Sequence, residues 1–227
     1  MKSKILISTG GSGGHVIPAI TIHDHLKNNY DILISSDVRG LKYLDNELYK
    51  IIVVDTPKLN NIILLPLSIL KVIFLTLKSF LLFKKEKIQI LISTGGYMSL
   101  PLCIAARLLK IKIYLLEPNM VIGRANKFFL KFCEKIICYS ENIVGFHKEF
   151  KSKLKIISPL IRRKYYNKRL KEYDNAKFTL VIIGGSQGAQ IFDKILHESI
   201  IEISKIKPLK IIHQTSKKNV TIIKNLY

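Results

Sequence analysis

The sequence predicts an α/β fold with doubly wound parallel sheets, in which short apolar strands alternate with longer helices. The strand segments are rich in Ile, Leu and Val and alternate little with polar residues, which is typical of strands covered on both faces. A strand that runs into paired glycines recurs three times, as ILISTGG at 5–11 and 90–96 and as LVIIGG at 180–185. Because a helix-like segment follows each copy, we expect three glycine-lined anion sites at the carboxyl ends of strands.

Hydrophobic patterning assigns the elements in order along the 227 residues. The predicted strands are 4–9, 31–35, 51–55, 89–94, 112–116, 135–139, 155–158, 178–183 and 210–213. The predicted helices are 18–28, 66–84, 99–109, 121–132, 143–150 and 189–203.

A basic stretch divides the chain. The segment between Pro159 and Lys177 is polar and charged, as linkers often are. We therefore predict one domain at 1–160, a basic linker at 161–177 and the start of a second domain at 178–227. That last part holds about one βαβ unit, so we expect the second domain to be incomplete in this chain.

The amino-acid composition and charge exclude some classes of protein. At 48% hydrophobic residues, the chain is globular rather than disordered. The net charge is +21. Lysines and arginines cluster at 78–87 and 151–173, where they suit phosphate groups. We expect the remaining lysines to form solvated surface faces. The sequence has neither zinc-finger spacing nor an aromatic and basic platform for single strands. We therefore expect no nucleic-acid partner.

The cysteines and the N-terminus predict a cytoplasmic protein. Only Ile5, Leu6 and Ile7 follow the basic start before polar residues, which is too short for a secretory signal. The three cysteines lack metal-site spacing and are expected to be small buried hydrophobic residues. No Asp-x-Asp motif occurs, so we expect no metal site, and we expect no cofactor.

Glycines dominate the first loop, residues 10–14, and let its backbone approach a phosphate or a sugar closely. Pro18 is expected to lie in the first turn of the following helix. The dinucleotide fingerprint GxGxxG is broken by Val16, and the phosphate-loop pattern is absent. His15, at the mouth of the helix, is either a structural hydrogen-bonding residue or a functional one.

The second and third loops repeat this arrangement. Gly95, Gly96 and Tyr97 follow the fourth predicted strand, and Ser99 is expected to cap the next helix. This turn either binds a ligand or is only a tight connection. In the third loop, polar side chains accompany the free N–H groups at a helix start, which suits a diphosphate held without a metal. The residues concerned are Gly185, Ser186, Gln187 and Gly188.

Segment 62–83 is long and apolar, with 16 apolar residues of 22. A membrane span is disfavoured by Pro66 near the start of the segment and by Lys71 and Lys78 within it. A lysine charge is costly at mid-bilayer. We expect a helix that lies in a headgroup interface with its lysines toward phosphates. A core helix with an exposed lysine edge and a spanning helix are the alternatives.

Four motifs together resemble the MurG family of N-acetylglucosaminyltransferases. They are the first loop (GGSGGHVIPA, 10–19), the second loop (TGGYMSLP, 94–101), the segment EPNMVIGRANK at 117–127 and the third loop (GGSQGA, 184–189). The four motifs occur in the same order as in the family, and they spread over essentially the whole chain. Pro118 stands where the family usually has Gln, and nothing here corresponds to the family's later segments that recognise uracil and ribose.

The resemblance implies a GT-B fold, with a Rossmann-like N-terminal domain and the first part of a second one. It implies UDP-N-acetylglucosamine as donor, lipid I (undecaprenyl-diphosphate muramoyl pentapeptide) as acceptor, and lipid II as product. The enzyme would be inverting and peripheral at the cytoplasmic face of the plasma membrane, on an anionic surface. His15 would be the base. Substrate would contact Gly11, Ser12, Gly13, Asn119, Arg162 and Ser186, and the second and third loops.

Two other functions remain open. A non-catalytic module would bind the lipid-linked diphosphate without turnover. A nucleotide-binding oxidoreductase is disfavoured by the broken fingerprint.

Overall fold

The computed structural model describes residues 2–57, 63–166, 178–184 and 189–227, which form two compact units, Met1–Asn167 and Lys168–Tyr227. The first unit contains a seven-stranded, all-parallel sheet with the order β3-β2-β1-β4-β5-β6-β7. Its strands are β1 (Lys4–Ser8), β2 (Asp31–Ser36), β3 (Ile51–Val53), β4 (Ile90–Ser93), β5 (Lys112–Glu117), β6 (Lys135–Cys138) and β7 (Leu154–Ile156).

The two copies of the ILIS segment are neighbours in this sheet. Strand β1 pairs with β4 in parallel, and the register joins Ile5 to Ile90 and Ser8 to Ser93. Equivalent residues of the repeat therefore lie side by side. Because both strands end at the same level, the first two glycine loops leave the same edge of the sheet together, as expected of a doubly wound fold.

Helices cover both faces of the sheet. On one face, Ala19 packs with Ile5, Ile7 and their neighbours on β2 and β4. On the other face, Phe83 and Leu102 pack with Leu6 and the alternate residues of the central strands. The α-helices of this unit are α1 (Gly13–Leu26), α2 (Leu65–Glu86), α3 (Leu100–Leu108) and α4 (Arg124–Phe129).

The predicted α/β class is confirmed, and the cysteines are free and buried as expected. Burial raises the pKa of the Cys103 and Cys138 thiols to about 12, so both remain protonated and behave as small hydrophobic residues.

Three helix predictions in this unit are wrong in detail. Helix α1 starts at Gly13, so Pro18 lies inside the helix rather than in its first turn. No α-helix forms at 143–150, because Val144 pairs with the backbone of segment 120–122 and Gly145 has a φ of +79°. Ser99 precedes α3, but its hydroxyl donates back to the carbonyl of Gly96 instead of capping the helix.

Helix α2 has one buried face and one exposed face. Its buried residues Val72, Thr76, Ser79 and Phe83 recur at helical spacing. The opposite face is an exposed apolar stripe formed by Leu67, Leu70, Phe74, Leu77 and Leu81, which are 54–67% exposed. Among the described residues, α2 is the one helix whose length and composition would allow it to cross a membrane.

The second unit holds a parallel strand pair, β8 (Phe178–Ile182) and β9 (Leu209–His213). The single helix predicted at 189–203 is divided at Leu196 into α5 (Ala189–Ile195) and α6 (His197–Ile206), and a further helix, α7 (Val220–Leu226), was not predicted. The limits of the predicted linker at 161–177 stay a prediction, since 167–177 lies outside the described residues.

Truncation of the buried face of α2 tests this packing. Phe83 is 1% exposed, so Phe83→Ala should lower the free energy of unfolding by about 3–5 kcal/mol through lost contacts and a cavity. Leu81→Ala, on the same helix at 65% exposure, should change it by less than about 0.5 kcal/mol. Urea unfolding followed by circular dichroism measures both, and equal effects would contradict the orientation of α2.

Candidate active site

A cleft of about 500 Å³ opens at the carboxyl edge of the sheet, where parallel α/β folds bind ligands. The second glycine loop forms one side and the segment after β5 forms the other. The lining residues are His15, Gly95, Gly96, Tyr97, Leu100, Glu117, Asn119, Gly123, Arg124, Ala125 and Phe128.

His15 reaches this cleft from the first turn of α1. Its Nδ1 lies 2.6 Å from the carbonyl oxygen of Thr94, the residue directly after β4. A carbonyl only accepts hydrogen bonds, so Nδ1 must carry a proton and donate. The neutral ring therefore has its lone pair on Nε2. Nε2 lies at the wall of the cleft, where a Cβ built on Gly96 would be 3.9 Å from it.

The second loop needs its glycines because of its backbone. Gly95 and Gly96 have φ values of +87° and +85°, a region that other residues rarely adopt. A Cβ on Gly95 would also lie 3.1 Å from Asn126 Nδ2 and 3.5 Å from His15 Cε1. The loop therefore packs its bare backbone directly against the histidine.

Glu117 organises the opposite wall, although its side chain is almost fully buried. Its Oε1 accepts hydrogen bonds from the backbone N and the Nδ2 of Asn119, at 3.2 and 2.9 Å. Its Oε2 accepts from the N of Gly123 at 2.7 Å and from Asn126 Nδ2 at 3.0 Å. One carboxylate thus fixes the whole turn between β5 and α4.

Asp37 has the same role for the first loop. It is 1% exposed, and its Oδ1 accepts from the N of Gly11 at 2.7 Å and from the N of Gly40 at 3.0 Å. Its Oδ2 accepts two hydrogen bonds from Arg39, which raise the pKa of the guanidinium. Neither Asp37 nor Glu117 was singled out as a site residue from the sequence. The available signal was an acidic residue directly at the end of a buried strand.

The structure brings together some of the predicted site residues and leaves others apart. His15, Gly95, Gly96, Tyr97 and Asn119 line one cleft. In the adjoining first loop, Ser12 precedes α1. A Cβ built on Gly11 would lie 3.3 Å from Arg39 Nη2, and one built on Gly13 would lie 3.4 Å from the ring of Tyr43.

Arg162 lines a different pocket, of about 380 Å³, together with Asp24, Tyr49 and Arg163. Gly185, Ser186, Gln187 and Gly188 lie outside the described residues, so their role stays a prediction. Within the described ranges, no group of three His, Cys, Asp or Glu side chains could hold a metal.

Comparison with solved structures gives the fold class. The chain superimposes on MurG from Acinetobacter baumannii with a TM-score of 0.74 at 22% identity, covering 99% of this chain and 64% of that one. A UDP-GlcNAc 2-epimerase from Methanocaldococcus jannaschii gives 0.61 at 15% identity, covering 98% and 68%. The fold is therefore that of a GT-B type protein, as the sequence predicted.

Sequence comparison gives the family. Residues 5–138 match the glycosyltransferase family 28 N-terminal domain, and the chain belongs to that family. A Pelagibacter ubique protein is 52% identical over 230 residues and is named UDP-N-acetylglucosamine–N-acetylmuramyl-(pentapeptide) pyrophosphoryl-undecaprenol N-acetylglucosamine transferase. A Rickettsia canadensis protein of the same name is 31% identical and matches 99% of this chain. The chain spans about 64% of the length of both.

The Glu117 turn can be tested by one conservative substitution. Glu117→Gln replaces an acceptor oxygen with an NH₂ group that faces the donors of Gly123 or Asn119. We expect the free energy of unfolding to fall by about 1–3 kcal/mol, the cost of a buried hydrogen bond lost. The exposed Glu134→Gln is the matched control. Chemical denaturation compares them, and similar small losses would show that the buried carboxylate does not hold the turn.

Proposed function

We propose that this chain forms the acceptor-binding part of an inverting glycosyltransferase. The enzyme would transfer N-acetylglucosamine from UDP-N-acetylglucosamine to lipid I and so make lipid II for peptidoglycan. The observation that carries the proposal is the hydrogen bond from His15 Nδ1 to the Thr94 carbonyl, which leaves Nε2 as a base at the wall of the cleft. The names of the relatives support the substrates.

In this mechanism the acceptor hydroxyl attacks the anomeric carbon of the donor from the face opposite the diphosphate. The new C–O bond forms as the bond to UDP breaks, and UDP leaves with the electron pair. His15 Nε2 takes the hydroxyl proton, while the Thr94 carbonyl stabilises the resulting imidazolium. The third loop, with Ser186, is expected to hold the departing diphosphate through backbone N–H groups.

We also propose that the exposed stripe of α2 binds the surface of an anionic membrane at its cytoplasmic face. The stripe is unbroken over four turns, and Lys71, Lys78 and Lys85 recur every seven residues along its margin. Because the other face of α2 is packed against the core, the helix would lie in the interface rather than cross it. A peripheral position suits an enzyme whose acceptor is a lipid.

The proposed transferase activity is tested with a chimeric protein. Because the chain spans part of its relatives' length, the remaining segment of the Pelagibacter relative is fused after Tyr227. His15→Ala should lower kcat for lipid II formation by about 10²–10⁴-fold, the loss expected for a general base, with little change in the acceptor KM. His25→Ala, on the same helix, is the control.

The outcomes separate the remaining alternatives. A raised acceptor KM at constant kcat would make His15 a binding residue rather than the base. Acceptor binding by both the unfused chain and the chimera, with no turnover by the chimera, would favour the non-catalytic module. Unchanged kinetics in His15→Ala would refute the mechanism.

Membrane binding is tested on the chain itself by co-sedimentation with liposomes that contain anionic lipid. Leu77→Glu should weaken partitioning at least about tenfold, because it removes an apolar side chain that would enter the lipid and adds repulsion from the anionic surface. Leu48→Glu, outside α2 and at 68% exposure against 60% for Leu77, should have little effect. Binding should fall with salt. Retention after alkaline carbonate extraction would instead indicate a spanning helix.

A further inference from the structure

One arginine stands at the junction of the two glycine loops. Arg39 follows β2 and donates from Nε and Nη2 to Asp37 Oδ2, at 2.9 and 2.8 Å. Its guanidinium lies 5.2 Å from the centre of the Tyr97 ring, in the second loop. In the first loop, a Cβ added to Gly11 would lie 3.3 Å from Nη2. Contacts from both loops and from a buried carboxylate therefore fix the position of this cation.

The fixed guanidinium keeps unused donors. Arginine has five N–H groups, and Asp37 takes two of them. The side chain is 47% exposed, and within the described part of the chain its other donors have no hydrogen-bond partner. A planar, pre-oriented guanidinium with a free edge matches the oxygens of a phosphate group.

The position of Arg39 also relates the cleft to α2. Thr56, next to Asp55, donates from Oγ1 to the carbonyl of Met98 at 3.2 Å. Met98 follows Tyr97, the ring on which Arg39 stacks. Asp55 Oδ2 lies 3.9 Å from Lys71 Nζ at the margin of the α2 stripe. Arg39 therefore stacks on a residue that lines the cleft of His15, and the loop of that residue is linked through Thr56 and Asp55 to α2.

We propose that Arg39 binds the diphosphate of the lipid-linked acceptor and that Asp37 is the residue that positions it. This assignment rests on the proposed function. A lipid carrier held at α2 and a sugar hydroxyl at His15 require the diphosphate between them, and Arg39 is the cation built into that interval. The exposed edge of the guanidinium donates to the phosphate oxygens while Tyr97 and Asp37 keep its plane fixed.

The test is calorimetric titration of the purified chain with a short-chain lipid I analogue, and in parallel with inorganic diphosphate and UDP-N-acetylglucosamine. R39Q should bind the analogue about 10–100-fold more weakly, as expected for losing charged hydrogen bonds. R39K should lose about 3–10-fold, because an ammonium cannot chelate two oxygens. R107Q is the matched control, since Arg107 also stacks on an aromatic ring, that of Phe132. Its affinity should equal that of the wild type.

Thermal melting of each variant separates binding from folding. If R39Q melts early, R39K carries the test, because it keeps the charge. Equal affinity of the wild type and a folded Arg39 variant for the analogue would overturn the assignment and leave the proposed function standing. A variant that loses inorganic diphosphate alone would show a free-anion site and overturn it too, as would a loss confined to UDP-N-acetylglucosamine. A wild-type chain that fails to bind the analogue would overturn the proposed function as well.

Discussion

The candidate site depends on the pairing of β1 with β4. These strands carry the same ILIS sequence, and their register places equivalent residues side by side. The first two glycine loops therefore begin at the same level, and α1 starts close enough for His15 to reach the carbonyl of Thr94. A slip of one residue would turn the side chains of the slipped strand to the opposite face and separate that pair. The geometry of the proposed base is thus a result of strand register.

Loops made mostly of glycine have few side chains with which to hold their own shape. Here two buried carboxylates supply that constraint, Asp37 for the first loop and Glu117 for the turn after β5. Each accepts backbone N–H groups that would otherwise lack a partner, and each lies at the carboxyl end of a strand. A rigid backbone with an open surface is what a site for a sugar diphosphate requires, because the ligand can approach the peptide groups closely.

The sequence predicted the parts of this fold that local chemistry determines. Strands buried on both faces have an unmistakable composition, and the paired glycines located the loops around the cleft. Two features escaped prediction because distant contacts decide them. Residues 143–150 have a helical pattern, but Val144 pairs with a segment more than twenty positions away. Asp37 and Arg39 are adjacent to the first loop only through the pairing of β2 with β1, which no local pattern reveals.

The position of Arg162 depends on contacts that its motif does not contain. It lies in a pocket with Asp24 and Tyr49, apart from the cleft of His15. Sequence order alone does not say which pocket a loop residue enters, since that depends on how the chain returns after β7. The resemblance implies that Arg162 contacts the donor, and that role stays a prediction.

The small sheet of the second unit has a consequence for how the chain fluctuates. Strands β8 and β9 form a two-stranded parallel pair, and Val181 and Ile212 are each half exposed on it. Parallel pairs gain their stability from layers on both faces, and here these two side chains remain half exposed although Ile182 is buried. Its backbone amides will therefore exchange with solvent through local opening at a lower free energy than those of β1 and β4. Among the described residues we therefore expect a gradient of local stability, from the amides of the seven-stranded sheet to those of the strand pair.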